Sequence, residues 1–162
     1  GKLLRELHAP SLHRVDKNHN IHIGGARGMS FSDDGRRLAV CGIREAPTPV
    51  GGNVIPGTVI FDFESGEIRQ EQKTKDRMSA VGWNVAFHPD DFMVMVTGGE
   101  KDGHLLFWKK EEQHEFHAFK LPDSARDMVF SPDRLSIATA HYDGHLRVSS
   151  LLPAEQERVA RT

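Results

Sequence analysis

The chain contains very little cysteine. Cys41 is the single one, so no disulfide can form within the chain and its fold cannot rest on one. The composition is otherwise ordinary, with 162 residues of which 38% are hydrophobic and 27% charged. A chain of this length and composition can bury a sizeable core as a single globular domain.

The chain also lacks a strong excess of positive or negative charge. The formal value is −2, and Lys and Arg are spread along the chain. Because nucleic-acid binding and anionic-membrane binding both depend on a concentrated basic surface, we expect neither partner. Long apolar runs are missing too, and the first residues, GKLLRELHAPSLHR, lack the apolar block of a secretory signal. We therefore expect a soluble chain, with the cytoplasm favoured as its compartment.

Signatures of enzymes are also missing. The chain has no Gly-x-Ser-x-Gly elbow, no phosphate-binding glycine loop ahead of a helix and no Cys-x-x-Cys pair. The acid pairs Asp33-Asp34 and Asp90-Asp91 fall in turn sequences, where Asp is common because its side chain bonds to its own backbone. The sequence therefore predicts no catalytic residues and no enzyme.

Ten histidines raise the question of a metal site. The closely spaced pairs are His19 and His22, His114 and His117, and His141 and His145. A zinc site needs three or four converging ligands, and residues three apart on a strand point to opposite faces. The spacing alone therefore predicts no metal, and nothing in the sequence indicates a cofactor.

What the chain does contain is an internal repeat in three copies. Phe31, Phe87 and Phe130 align, each at the end of a stretch whose alternating polarity predicts a strand with one buried face. A turn rich in Asp and Pro follows, and then a short apolar run typical of a strand covered on both faces. Segments such as Asp143-Gly144-His145-Leu146 turn the chain into a third strand, and a more polar fourth strand follows in the first two copies.

Four strands per copy, repeated about every forty residues, predict an all-β fold of about three four-stranded antiparallel units. The predicted units span residues 23–72, 80–121 and 124–152. Residues 1–8 are predicted to be the outer strand of a preceding unit.

The segments SPD, DGHLRV and DGHLLFW, together with the opening GKLLREL, resemble the WD40 repeat, the blade unit of a β-propeller. More narrowly, the chain is similar to the WD40-like blades of large bacterial multidomain proteins, over residues 1 to 152. The resemblance implies a non-catalytic scaffold that docks protein partners. The chain departs from the family at one point. Where WD40 blades carry a Gly-His pair that joins a hydrogen-bond network, this chain has Gly24-Gly25, Val81-Gly82 and Asp123-Ser124, so we expect that network to be incomplete.

Three blades cannot close a propeller, which typically has four to eight. We expect either that the chain is a segment of a longer propeller or multidomain protein, or that two copies associate into a six-bladed ring.

One position recurs near the start of each copy. Four residues before the aligned phenylalanines stand Arg27, Trp83 and Arg126, with Asn84 and Asp127 next to two of them. In the WD40 arrangement this position lies at the mouth of the central channel, and Arg and Trp are enriched at binding hot spots. These five residues form the candidate binding surface. The alternative is that they only pack one blade against the next, with a solvated guanidinium.

Residues 42–57, GIREAPTPVGGNVIPG, lengthen the first copy. Their prolines and glycines predict an irregular loop, which is either a partner-specific insertion or a tolerated surface excursion.

Two classes of function follow from the whole sequence. One is an interaction scaffold, and the other is a ligand-binding or catalytic propeller whose site is shared with blades outside this segment. The second gains support if Arg27, Trp83 and Arg126 converge on one pocket and loses it if they splay outward singly.

Overall fold

The structure is a computed structural model and describes residues 1–46, 54–76, 78–99 and 102–152. Within these ranges the regular structure is β apart from one 3-10 turn at Pro10–Leu12, which confirms the predicted all-β class. The strands form four antiparallel sheets. Among these described residues, no helix has the length and apolar character to cross a membrane.

Three of the four sheets follow one another along the chain, after a short hairpin. The hairpin pairs β1 (His13–Asp16) with β2 (Ile21–Gly24). The first sheet runs β3 (Ala26–Phe31), β4 (Arg37–Glu45), β5 (Ile55–Asp62) and β6 (Ile68–Gln72). The second runs β7 (Val81–His88), β8 (Phe92–Gly98), β9 (Gly103–Lys109) and β10 (His117–Leu121), and the third runs β11 (Ala125–Phe130), β12 (Ser136–His141) and β13 (Leu146–Ser150).

In each of these sheets the spatial order of the strands is their order in the sequence. They are blades of a partial propeller, as predicted, although the described part of the third blade has three strands rather than four. The first strands of successive blades, β3, β7 and β11, are neighbours. They are therefore the innermost strands, and their amino-terminal ends lie at the same face of the molecule.

The turn after each innermost strand is closed by its own side chains. In the first blade, the hydroxyl of Ser32 donates to Asp34 (2.6 Å) and accepts from the amide of Arg37 (2.9 Å). Ser131 makes the same two contacts in the third blade, with Asp133 and Ser136. These turns confirm that the acidic residues of the repeat serve to reverse the chain.

The core lies between the blades. Ala39, Cys41 and Ile60 of the first blade pack against Met95 and Trp108 of the second. The opposite side of the second blade contributes Val94, Val96, Leu105 and Phe107, which meet Met128 and Ile137 of the third blade. The middle strands are therefore apolar on both faces, as their nearly continuous hydrophobic runs predict.

Residues 1–9 contain no strand in this chain, and the outer strand of a preceding unit expected at residues 1–8 stays a prediction. The segment instead lies over the first blade. Leu7, Ala9 and Leu12 pack on a cluster that includes Val59 and Phe61, and the Arg5 guanidinium donates to the carbonyls of Phe63 and Glu64. No strand in the described chain runs beside this segment to pair with it, so its apolar side chains cover a sheet face instead.

The residues predicted to be an irregular insertion are partly strand. β4 and β5 continue into the interval 42–57, where Gly42 pairs with Gly57 and Glu45 with Ile55. The ends of this longer hairpin are held by burial, since Ala46 and Ile55 are buried and the carbonyl of Val54 accepts from the amide of Ala80. Burial therefore outweighs the breaking effect of Pro56, which pairs with Ile43. Residues 47–53 lie outside the described part of the chain.

Candidate functional site

The candidate residues Arg27, Trp83 and Arg126 occupy the same β-bulge in three successive blades. In the first blade, Ala26 pairs with Gly42 and Gly28 with Cys41, so Arg27 has no partner across the sheet. The pairing skips Trp83 and Arg126 in the same way. A β-bulge bends its strand and turns a side chain away from the regular alternation. Three bulges in register therefore present three side chains at one end of the blades.

We call this end the start face, because β3, β7 and β11 begin there. On it, the guanidinium carbon of Arg27 lies 5.5 Å from the ring centroid of Trp83, and that of Arg126 lies 4.6 Å from it. The Arg126 guanidinium is also 5.3 Å from the ring of Tyr142. These distances are within the range of cation–π attraction. The side chains that sequence analysis singled out do not splay outward singly; they form one cluster across three blades.

Asn84 and Asp127 tie the second and third blades together beside this cluster. The side-chain amide of Asn84 donates to the carboxylate of Asp127 (2.5 Å) and to the carbonyl of Met128 (3.2 Å). The carboxylate of Asp127 also accepts from the amide of Met128 (2.8 Å), and the Asn84 oxygen accepts from the amide of Val85 (2.7 Å). Both side chains are thus engaged within the protein, so they position the bulged strands.

Next to the bulges, a close backbone contact fixes the distance between the first two blades. A Cβ atom on Gly28 would lie 2.5 Å from the carbonyl oxygen of Trp83 and 2.6 Å from the Cα of Asn84. Both obstacles are backbone atoms, which cannot move aside without moving a strand. The approach of β3 to β7 therefore requires glycine here.

Exposure differs among the members of the cluster. Arg27 and Arg126 are exposed and Trp83 is half-buried, with its indole Nε1 buried and without a hydrogen-bond partner in the described residues. Tyr142, which sequence analysis missed, is 76% exposed. The sequence could have indicated it by its position. Tyr142 directly follows the second strand of the third copy, and this strand runs back to the start face. The two guanidinium groups are thus available to a partner.

An open pocket of about 420 Å³ adjoins the cluster between the second and third blades. Arg126 and Tyr142 form part of its wall, and Asp123, Ser124 and Gly98 contribute to the rest. A second pocket, of about 390 Å³, lies nearer the other end of the same two blades and is lined mainly by aromatic and aliphatic side chains such as Phe92, Phe107 and Phe119. Of the two, the start-face pocket is the one whose wall includes a member of the cluster, Arg126.

Three of the histidines make contacts within the fold. His141 is buried, and its ring nitrogens contact the hydroxyl of Thr139 (2.7 Å) and the carbonyl of Asp123 (3.1 Å). It joins the strand end to the loop that precedes β11, although no Gly-His pair stands there. Of the predicted pairs, His145 contacts the carboxylate of Asp143 and His19 that of Asp16, each at 3.2 Å. The described ranges contain no group of three or more His, Cys, Asp or Glu that could hold a metal ion.

Hydrogen bonds and burial shift the pKa of several side chains from their usual values. The Ser32 hydroxyl holds the pKa of Asp34 below its usual value, and the Ser131 hydroxyl does the same for Asp133. Asp143 is bound by both terminal nitrogens of Arg147 (3.0 and 2.5 Å), which holds its pKa far below the usual range. Burial raises the pKa of the Cys41 thiol to about 12, so this cysteine is not a nucleophile near neutral pH.

No family model matches the chain. No curated protein matches it either. Among solved structures, a chain of Kuenenia stuttgartiensis hydrazine synthase is similar, with a TM-score of 0.55 and 13% identity. The match covers 85% of this chain and 43% of that chain, so this chain spans less than half the length of the structure it resembles. At this identity the likeness shows the fold alone and nothing of activity.

Proposed function

We propose that this chain is part of a non-catalytic interaction scaffold built from WD40-like blades, and that its binding surface is the start face. The observation that carries the proposal is the convergence of Arg27, Trp83 and Arg126 on three aligned bulges. Hot spots at protein interfaces are enriched in Arg and Trp, which combine large contact area with directional donors. The partner we propose is a protein.

The rigidity of the start face supports a docking role. The bulges are held by the Gly28 contact and by the bonds of Asn84, so the exposed side chains are presented from a fixed backbone. A preorganised surface loses less conformational entropy when it binds. The same contacts account for the position of Trp83, whose ring supports both guanidinium groups.

We propose that the scaffold is non-catalytic, and the environments of its acidic pairs and of its cysteine support this. The paired acids that could act as a catalytic dyad include Asp34, whose carboxylate closes its own turn. The single cysteine is buried with a raised pKa. Among the described residues, these side chains are thus committed to the fold.

A second candidate function is favoured by the pocket beside Arg126. The candidate side chains converge, and an open volume of about 420 Å³ adjoins them, which is the geometry expected of a ligand-binding propeller. In that case the blades outside this segment would complete the site. A small ligand would then slow amide hydrogen exchange at the start face in solution without any protein partner.

We also propose that the ring is completed by further blades or by a second copy. Val129, Leu146 and Val148 lie on the third blade with 64%, 80% and 71% of their surfaces exposed, and an apolar sheet face of this kind normally packs on a neighbour. Light scattering behind a sizing column measures the mass of the chain. A folded dimer would support a six-bladed ring, whereas a stable monomer would exclude it.

The scaffold proposal is tested by reversing charge on one face at a time. The double variant Arg27→Glu/Arg126→Glu changes the start face, and Arg36→Glu changes an exposed residue in the turn at the opposite end. Proteins captured from the source organism on each immobilised variant are quantified by mass spectrometry. We expect the start-face variant to lose specific partners that the wild type and Arg36→Glu retain. The same captured set on all three proteins would contradict the proposal.

A further inference from the structure

The guanidinium groups of the start face differ from those of three other arginines in how their charge is satisfied, although Arg37 likewise lies over an aromatic ring, that of Phe87. Arg44, Arg69 and Arg147 each contact a carboxylate of the chain, at 2.7, 2.9 and 2.5 Å. Arg27 and Arg126 have no such ion pair with any described residue, and their contacts are with aromatic rings. Their charge is therefore not neutralised by a neighbouring carboxylate.

Stacking on a ring leaves the hydrogen-bonding edge of a guanidinium free. The ring contacts the face of the planar group, while the N–H donors point outward in the plane. In that orientation Arg126, held near both Trp83 and Tyr142, can bind a carboxylate with two parallel hydrogen bonds. Stacking also limits the rotamers of a long side chain, so less freedom is lost on binding.

The acidic groups at the same face are already engaged. Asp127 accepts hydrogen bonds from Asn84 and from the amide of Met128. Asp123 accepts one from the amide of Asp143 (2.9 Å), and Asp143 is paired with Arg147. These carboxylates lie beside the cluster and would repel a polyanion that carries a charge on every unit, such as the phosphates of a nucleic acid. They leave room for a ligand with a few separated negative charges.

We infer that the start face binds an acidic peptide segment, whose Glu or Asp carboxylates contact Arg126 and Arg27 and whose backbone runs past Tyr142 along the adjoining pocket. This inference rests on the proposed function and specifies its ligand. An exposed tyrosine and a half-buried indole supply apolar contact for the methylene groups of acidic side chains. The pocket of about 420 Å³ has room for a side chain next to the carboxylate site.

The test measures binding of two dye-labelled peptides to the whole chain by fluorescence anisotropy. One peptide is a Glu-Gly repeat, and the other is the matched Gln-Gly repeat, which keeps the size but removes the charge and replaces one acceptor oxygen of each side chain with an NH2 donor. We expect the Glu peptide to bind and the Gln peptide to bind at least about tenfold more weakly, because charge-assisted hydrogen bonds would be lost. Equal binding of the two peptides would overturn the inference.

Variants then locate the site. Arg126→Gln is expected to weaken binding of the Glu peptide about tenfold or more, and Arg27→Gln by a smaller factor. Arg126→Lys keeps the charge but lacks the planar fork, so it should remain several-fold weaker than wild type. Arg36→Gln, at the opposite end, should bind like wild type. If Arg36→Gln weakens binding as much as Arg126→Gln, the attraction is non-specific and the inference is wrong.

Three further outcomes decide between the ligand classes and between this inference and the scaffold proposal. A labelled single-stranded oligonucleotide that binds more tightly than the Glu peptide and is lost in Arg126→Gln would overturn the peptide class. If charge reversal removes captured partners while the Glu peptide fails to bind, the interaction surface stands and the acidic ligand is wrong. If neither experiment depends on Arg27 or Arg126, both proposals fail.

Discussion

The serine-bound carboxylates at one end of the blades and the arginines of the start face at the other are held in different ways. At the turns that follow the innermost strands, the carboxylates of Asp34 and Asp133 are bound by serines two residues away. At the start face, the charges of Arg27 and Arg126 rest on Trp83, a residue of another blade. A group satisfied by its own turn is committed to chain reversal, whereas a group supported by a neighbouring blade keeps its donors available. Four predictions test this comparison.

The largest effect is expected where the start face depends on a backbone contact. Gly28→Ala should lower the free energy of unfolding by about 3 kcal/mol, because its Cβ would meet the backbone of Trp83 and Asn84. Urea unfolding measures the loss. Gly35→Ala is the control in a turn, since it has a positive φ of 67° but no atom near its Cβ. Its cost should be about 1 kcal/mol, from backbone strain alone. Equal costs at the two positions would show that the close approach of β3 to β7 does not matter.

The next effect concerns the bond between the second and third blades. Asn84→Ala removes the hydrogen bonds to Asp127 and to the carbonyl of Met128, and should cost about 1–2 kcal/mol. A double-mutant cycle with Asp127→Ala isolates the pair and should give a coupling of about 1 kcal/mol. A coupling of zero would mean that the two side chains are positioned independently, and that the bond does not hold the blades together.

The arginines of the start face should matter little for folding. Arg126→Gln removes two exposed cation–π contacts and should lower the free energy of unfolding by about 1 kcal/mol or less. The same variant is expected to show its main effect on peptide binding. Thermal or urea unfolding of wild type, Arg126→Gln and Arg36→Gln provides the comparison. A large loss of stability in Arg126→Gln would indicate that the guanidinium is a packing element, which was the structural alternative.

The smallest effect is expected from pH at the turns. The pKa of Asp34 is lowered in the folded chain, so the ionised form stabilises the fold above the ordinary Asp pKa, and this stabilisation is lost as the pH falls through the folded-state pKa. Ser32→Ala removes the largest cause of the shift and should move the pKa of Asp34 back towards the usual value. Carboxylate titration by NMR measures both proteins. Unchanged titration in Ser32→Ala would show that the hydroxyl contributes nothing.

Much of the fold could be predicted because its causes are local. Alternating polarity located the strands, and the Asp-rich turns located their reversals, since both depend on residues within a few positions of one another. The sequence said less where longer-range burial decided the structure. Residues 1–9 cover a sheet face, and the ends of the interval 42–57 lengthen a hairpin rather than forming an irregular loop. Neither outcome is visible without knowing which surfaces are near.

The candidate site was predictable in position but not in geometry. Alignment of the copies placed Arg27, Trp83 and Arg126 at one recurring position. The bulges were not predictable, because a bulge is a mismatch between two strands and depends on the register of both. The role of Tyr142 was not predictable either, because it comes from a different strand end of the third blade.

The sequence by itself determined the repeat, the turns and the types of side chain at the start of each blade, because hydrogen bonding within a turn and alternation along a strand act over short distances. Only the tertiary structure decided that two of those side chains meet on the indole of the third, and that position 28 must be glycine where β3 approaches β7. Those contacts join residues of different blades, so they exist only once the blades have packed around a common axis.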